Sequence, residues 1–230
     1  IGSGRFIMYG QMKDLKSPYR KRPRSVEVGK KAFPIDTWVL QPEILPMLWG
    51  GRKWDARFYA VAIYRDKHLL AVSFDKGFAR SSVEPYQTGI GITTITNISV
   101  QETIPGYNPR TFQFPLDDQA ATFNAVVADC FNRNRHNFIA EAGDAGVIIL
   151  GFDMIYSASG RPYLIEVNHE PALDPDVDTV EGQCARIVWE TLSTTLLPLL
   201  SSPERFRIAA TLPVQMVLPS AHIAAQISIP

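Results

Sequence analysis

At 230 residues the chain is long enough to bury a full core, as one large domain or two small ones. Apolar residues make up 46% and charged residues 20%, which excludes a disordered chain, and a net charge of zero excludes a global electrostatic pull toward nucleic acid or membrane. Two cysteines, Cys130 and Cys184, are too few for a disulfide framework and point to free thiols in a reducing compartment.

The first ten residues carry Gly2, Ser3 and Gly4 ahead of a short apolar strand. A Gly-Ser-Gly loop lets backbone N–H groups approach phosphate oxygens, and it is equally the composition of an ordinary turn. Residues 11–31 are basic, with Lys13, Lys16, Arg20, Lys21, Arg22, Arg24, Lys30 and Lys31 against only Asp14 and Glu27. Pro18 and Pro23 break any helix, so the segment is expected to be a solvated loop, or a patch for an acidic polymer. Residues 38–41 (WVLQ) read as a short buried strand that stops at Pro42, and Gly50-Gly51 mark a turn.

The stretch 52–64 (RKWDARFYAVAIY) alternates at its start. Lys53, Asp55 and Arg57 share one face of a strand, and Trp54, Ala56 and Phe58 share the other. Residues 69–74 form its hairpin partner, and Arg80 follows closely after that strand's end, where its guanidinium could face a carboxylate or phosphate. Residues 93–97 (TTITN) are β-prone, 102–118 are loop-like, and 117–133 read as a helix with Ala120, Phe123, Val126, Val127 and Phe131 at helical spacing. A second amphipathic helix is expected over 180–200, ended by Pro198 or soon after. The last stretch, 208–230, is uncharged but interrupted by Pro213 and Pro219, and makes a poor membrane span.

The chain is organised around residues 147–172. Residues 147–156 and 163–167 read as two strands joined by a turn at Ser157-Ala158-Ser159-Gly160. A four-residue loop would set Asp153 opposite Leu164, so that Asp153, Glu166 and Asn168 project from one face. Two carboxylates and an amide are hard oxygen ligands, and such a set suits a divalent cation such as Mg²⁺. The competing reading of each acid alone is a solvated strand edge or a helix cap. A three- or five-residue loop would turn Asp153 to the other face. Strands, helix, hairpin and helix in this order indicate an α+β fold with a mostly antiparallel sheet.

In order, the motifs are a Gly-rich loop, W-V-L-Q, G-R-K-W-D-A-R-F-Y, G-F-A-R-S-S-V-E-P-Y, T-I-T-N, and G-F-D-M-I followed by L-I-E-V-N-H-E-P-A. This ordered set resembles the tubulin tyrosine ligase and tubulin tyrosine ligase-like family over residues 1–200. The resemblance implies an ATP-grasp-like domain over 1–200, truncated at its N-terminus, with 201–230 a tail of unassigned structure. It also implies ATP and Mg²⁺ as cofactors, with Asp153, Glu166 and Asn168 holding the metal. Gly2, Ser3 and Gly4 would approach the phosphates, Gln41 would lie at the adenine edge, and Lys53 and Asp55 would line the nucleotide site. Arg57 would face the acceptor peptide, and Arg80 would stabilise an acyl-phosphate, with Thr96 and Asn97 nearby. The implied reaction is an amide ligation between a free amino acid and a glutamate of tubulin, or of another acidic-tailed protein. The implied setting is cytoplasmic, with cytoskeletal association and an organelle both left open by the sequence.

Several positions depart from the family pattern. A phosphate-contacting lysine expected ahead of the Gly-rich loop is not in this sequence, Pro42 stands where lysine is common, and Glu170 adds a negative charge. These departures support a second reading, a catalytically inactive ligase-like subunit that joins a larger assembly through residues 11–31 and 208–230. A third reading, nucleic-acid binding through the basic segment, predicts tight, salt-sensitive binding of RNA or DNA.

Overall fold

A computed structural model describes residues 25–28, 31–34, 43–88, 95–101, 104–106, 111–113, 119–140, 145–173, 176, 178–210 and 215–217. These fall into two compact units. One is drawn from Ile1–Trp54, Ser81–Pro109 and Ser157–Ser159, the other from Asp55–Arg80, Arg110–Tyr156 and Gly160–Pro230. The strands are β1 (Ser25–Val28), β2 (Lys31–Pro34), β3 (Leu48–Trp49), β4 (Arg52–Arg65), β5 (His68–Ser81), β6 (Thr111–Gln113), β7 (Ala145–Tyr156), β8 (Pro162–His169) and β9 (Gln215–Val217). The helices are α1 (Ile98–Gln101), α2 (Gln119–Ala140), α3 (Val180–Thr191), α4 (Leu197–Leu200) and α5 (Pro203–Ala209), with a π-helical turn, Leu192–Leu196, between α3 and α4.

In the first unit β1 and β2 pair antiparallel, so residues 25–28 and 31 of the basic segment are strand and not the expected loop, and the rest of that segment lies outside the described residues. β3 pairs with the start of β4, Trp49 opposite Arg52 and Leu48 opposite Lys53. Gly50 and Gly51 between them have φ of +54° and +75°, the left-handed pair that a two-residue hairpin turn needs. The strand expected at 38–41 lies outside the described residues. Residues 95–97 are irregular and lead into α1, where Gln101 donates its Nε2–H to the Ser81 carbonyl at 3.3 Å. The β character expected of TTITN is therefore not found in its described part.

The larger sheet runs β6-β5-β4-β7-β8, with β9 pairing with β5 in parallel and every other described pairing antiparallel. This is the expected α+β class with a mostly antiparallel sheet. Asp66 and Lys67 join β4 to β5 with φ of +49° and +66°. β5 is longer than the sequence pattern indicates. It continues through Gly77-Phe78-Ala79 and carries Arg80 inside the strand, not after its end. The loop expected over 102–118 contains β6, which pairs through Phe78 and Gln113.

Side-chain alternation gives the second unit two packed faces. On one, Phe58 of β4 stacks on Phe123 of α2 with centroids 4.3 Å apart, and Phe123 meets Phe152 of β7 edge-on at 5.6 Å. On the other, Tyr59, Val61, Ile63, Leu70, Val72 and Phe74 are buried with Cys184, Val188, Leu192, Leu196 and Phe206 of the C-terminal helices. Thr179 caps α3 by accepting from the Gly182 N–H at 2.9 Å. The π turn precedes Pro198, whose ring would clash with the carbonyl of a regular preceding turn, and helical backbone resumes to Leu200. The stretch after residue 200 contains α5, which buries Phe206 and Ala209, and β9.

Candidate active site

The site residues lie in the second unit, on four neighbouring strands, β5, β4, β7 and β8. Arg57 of β4 stands directly opposite Asp153 of β7. Its guanidinium grips both carboxylate oxygens, with Nε donating to Oδ1 and Nη2 to Oδ2 at 2.8 Å. Arg80 of β5 donates from Nη2 to Asp55 Oδ2 and from Nε to Asp55 Oδ1 at 3.2 Å, and its Nη2 also lies 3.2 Å from Asp153 Oδ2. One arginine is therefore shared between two carboxylates, and one carboxylate between two arginines. The side chains of Arg80, Asp55 and Asp153 are only 9%, 3% and 6% exposed, so water screens these attractions weakly.

Asp153, Glu166 and Asn168 do come together, but not through the expected register. The hairpin loop spans five residues, 157–161, with Tyr156 opposite Pro162 and Met154 opposite Leu164. A regular ladder would then set Asp153 against Ile165 and turn Glu166 away from it. A bulge between Asp153 and Met154 leaves Ile165 unpaired and puts Glu166 opposite Asp153 and Asn168 opposite Gly151. The pairing with Leu164 is thus corrected, and the shared face survives because an odd loop and a one-residue bulge cancel. Asn168 donates from Nδ2 to Asp153 Oδ2 and to Glu166 Oε1, 3.2 Å each.

Electrostatics follow from this geometry. Burial pushes the Asp153 carboxyl up, but the hydrogen bond from Arg57 and the charges of Arg80 and Arg57 more than reverse it, holding it below the ordinary carboxylate range. Burial disfavours charged Arg80, but the carboxylates of Asp55 and Asp153 outweigh it and raise its pKa. The charges of Asp55, Arg57, Arg80 and Asp153 cancel, and Glu166 adds one negative charge beside the neutral Asn168 amide.

The other sequence candidates fall in the first unit or outside the described residues. Lys53 lies on β4 in the first unit, its carbonyl accepting from the Ser82 N–H at 2.8 Å. Thr96 and Asn97 also belong to that unit, where the Asn97 carbonyl accepts from the Gln101 N–H at 3.1 Å. Gly2, Ser3, Gly4 and Gln41 lie outside the described residues.

Sequence reasoning missed Gly151 and the turn after β8. Glu170 adopts a left-handed φ of +54° and reverses the chain, so that the Ala172 carbonyl accepts from Tyr59 Oη at 3.1 Å. A Cβ on Gly151 would stand 2.9 Å from Pro171 Cβ and 3.1 Å from Arg57 Cδ. A glycine two residues before a charged residue, on the same strand face, was the available signal for such a close approach.

The chain is similar in sequence to several proteins named as tubulin polyglutamylases. It is 28% identical over 169 residues to the probable tubulin polyglutamylase TTLL9 of Bos taurus, covering 65% of this chain and 36% of that protein. It is 27% identical over 191 residues to the probable tubulin polyglutamylase ttll-9 of Caenorhabditis elegans, covering 75% and 44%. With the probable alpha-tubulin polyglutamylase Ttll1 of Tetrahymena thermophila it shares 25% identity over 197 residues, covering 75% and 46%. It is a distant homologue of these proteins. The matched regions span less than half the length of these relatives. No protein-family profile matches the chain. Among the described residues no helix is long and apolar enough to cross a membrane.

Proposed function

We propose that this chain carries the catalytic centre of an ATP- and Mg²⁺-dependent ligase that joins an amino acid to a glutamate side chain of an acidic protein tail. The names of its relatives favour tubulin as acceptor, glutamate as the added amino acid and a cytoskeletal setting. The observation that carries the proposal is the joining of Asp55, Arg57, Arg80, Asp153, Glu166 and Asn168 on one strand face of the second unit.

Among the described residues no three His, Cys, Asp or Glu side chains form a metal cluster. Mg²⁺ commonly needs only one or two carboxylates, with substrate phosphates and water completing its shell. Asp153 and Glu166 fit that demand, because Asn168 Nδ2 donates to both carboxylates at 3.2 Å and draws them together, while Asn168 could ligate only through its Oδ1. A bound Mg²⁺ would supply charge neutralisation for phosphate oxygens.

The rest of the chemistry falls to the chain. A carboxylate is a poor electrophile. Transfer of the γ-phosphoryl group of ATP to its oxygen makes an acyl-phosphate and ADP. Attack of the amine on the acyl carbon then forms the amide, expels phosphate and releases a proton. Arg80, held by Asp55, offers a fixed cation to the transferring phosphoryl group, and Arg57 offers a planar fork to the acceptor carboxylate.

A second reading, a binding module without catalysis, is favoured by the completeness of the ion-pair network. Both Asp153 oxygens already have arginine partners, so the network is satisfied as a structural element. Calorimetry of ATP binding with and without Mg²⁺, on the chain and on its Asp153→Ala/Glu166→Ala variant, separates the two. Mg²⁺-dependent binding that the double substitution abolishes supports the ligase. No binding by the folded wild-type chain refutes it.

A further inference from the structure

Asp153 is asked to serve two cations, and the two arginines around it are not equivalent. Arg80 has Asp55 as a second carboxylate, bonded through two of its nitrogens, and stays neutralised whatever Asp153 does. For Arg57 the bonded carboxylate is Asp153. We infer that Arg57 is a built-in cation that competes with the divalent ion for Asp153, so that ion binding releases the Arg57 guanidinium to an anionic substrate. The inference rests on the metal-site reading above and adds an order to it, ion first and acceptor carboxylate second.

Three observations support this. Arg57 and Asp153 are directly opposed across β4 and β7, so the latch costs little side-chain searching. The guanidinium lies in a slot with no Cβ on its floor, since a side chain at Gly151 would stand 3.1 Å from Arg57 Cδ and 3.4 Å from Nε. The Arg57 side chain is 11% exposed, against 6% for Asp153, so it is the more exposed member of the pair. Once off Asp153, a bidentate fork suits a carboxylate better than any other donor group. Competition at one site and capture at the next make the two ligands reciprocal, each raising the affinity of the other.

The test uses Mn²⁺ as the probe, titrated into the full chain without nucleotide and read by electron paramagnetic resonance of the free ion. Arg57→Gln should bind Mn²⁺ about tenfold tighter than wild type, within the roughly 5- to 150-fold range of coupling between sites. Arg57→Lys, which keeps the charge but loses the fork, should tighten binding by less, and it decides the matter if Arg57→Gln does not fold. Asp153→Asn should weaken binding. A short glutamate-rich peptide should bind wild type more tightly with Mn²⁺ present, and this gain should vanish in Arg57→Gln. If Asp153→Asn weakens Mn²⁺ binding while neither Arg57 variant tightens it, the competition is wrong and the metal site stands. If Asp153→Asn changes nothing, or no variant binds Mn²⁺, both fall.

Discussion

Replacing Asp55 by Asn removes half of the charge that holds Arg80 in the sheet. Arg80 keeps only its 3.2 Å contact to Asp153, a carboxylate already bonded bidentately by Arg57. Both members of the Asp55–Arg80 pair are under 10% exposed, so water cannot replace the lost partner. Leaving one partner of a buried ion pair uncompensated costs about 3–5 kcal/mol. Removing both charges costs much less, because an apolar pair of similar size avoids the desolvation of two ions. Urea unfolding followed by tryptophan fluorescence, with buried Trp54 as reporter, gives both values. Asp55→Asn should lower stability by about 3 kcal/mol or more, and Asp55→Asn/Arg80→Met should recover at least half of that. A loss below about 1 kcal/mol, as for an exposed pair, or a double variant no better than the single one, would refute the buried-network argument.

Two further predictions concern the core. Phe123→Ala removes the ring that stacks on Phe58 and meets Phe152, and should cost about 3–5 kcal/mol in the same unfolding assay. Burial pushes the Cys184 thiol up to about 12, so the folded chain keeps a proton that the unfolded chain loses at its ordinary value. Stability from this group is whole below that ordinary value and is lost as pH rises toward 12. Between pH 7 and pH 10, wild type should therefore lose about 1 kcal/mol more than Cys184→Ala, measured as urea midpoints at the two pH values.

How far the site could be read from sequence depends on whether a residue's partner lies nearby in the chain. Gly50-Gly51 and the alternation of Lys53, Asp55 and Arg57 are local signals, and turn chemistry and the period of two make them readable. The length of β5 was not legible, because Asp75, Lys76 and Gly77 read as a strand end. Pairing with neighbouring strands carries the backbone through them. Nor was the Arg80–Asp55 pair, which joins residues 25 apart.

The residue types of the site, and the strands that carry Asp55, Arg57, Asp153 and Glu166, were legible in the sequence alone. Hard oxygen donors at Asp153, Glu166 and Asn168, with guanidiniums at Arg57 and Arg80, are properties of composition and local alternation. Only the tertiary structure decided which of them meet. A five-residue loop would have turned Asp153 away from Glu166, and the unpaired Ile165 restores the match. Neither device has a local signature, because a bulge is chosen by the burial of everything on both strand faces at once. The same holds for Arg57. Its position in β4 is written in the chain, but its hold on Asp153 depends on cross-strand register and on the bare backbone of Gly151.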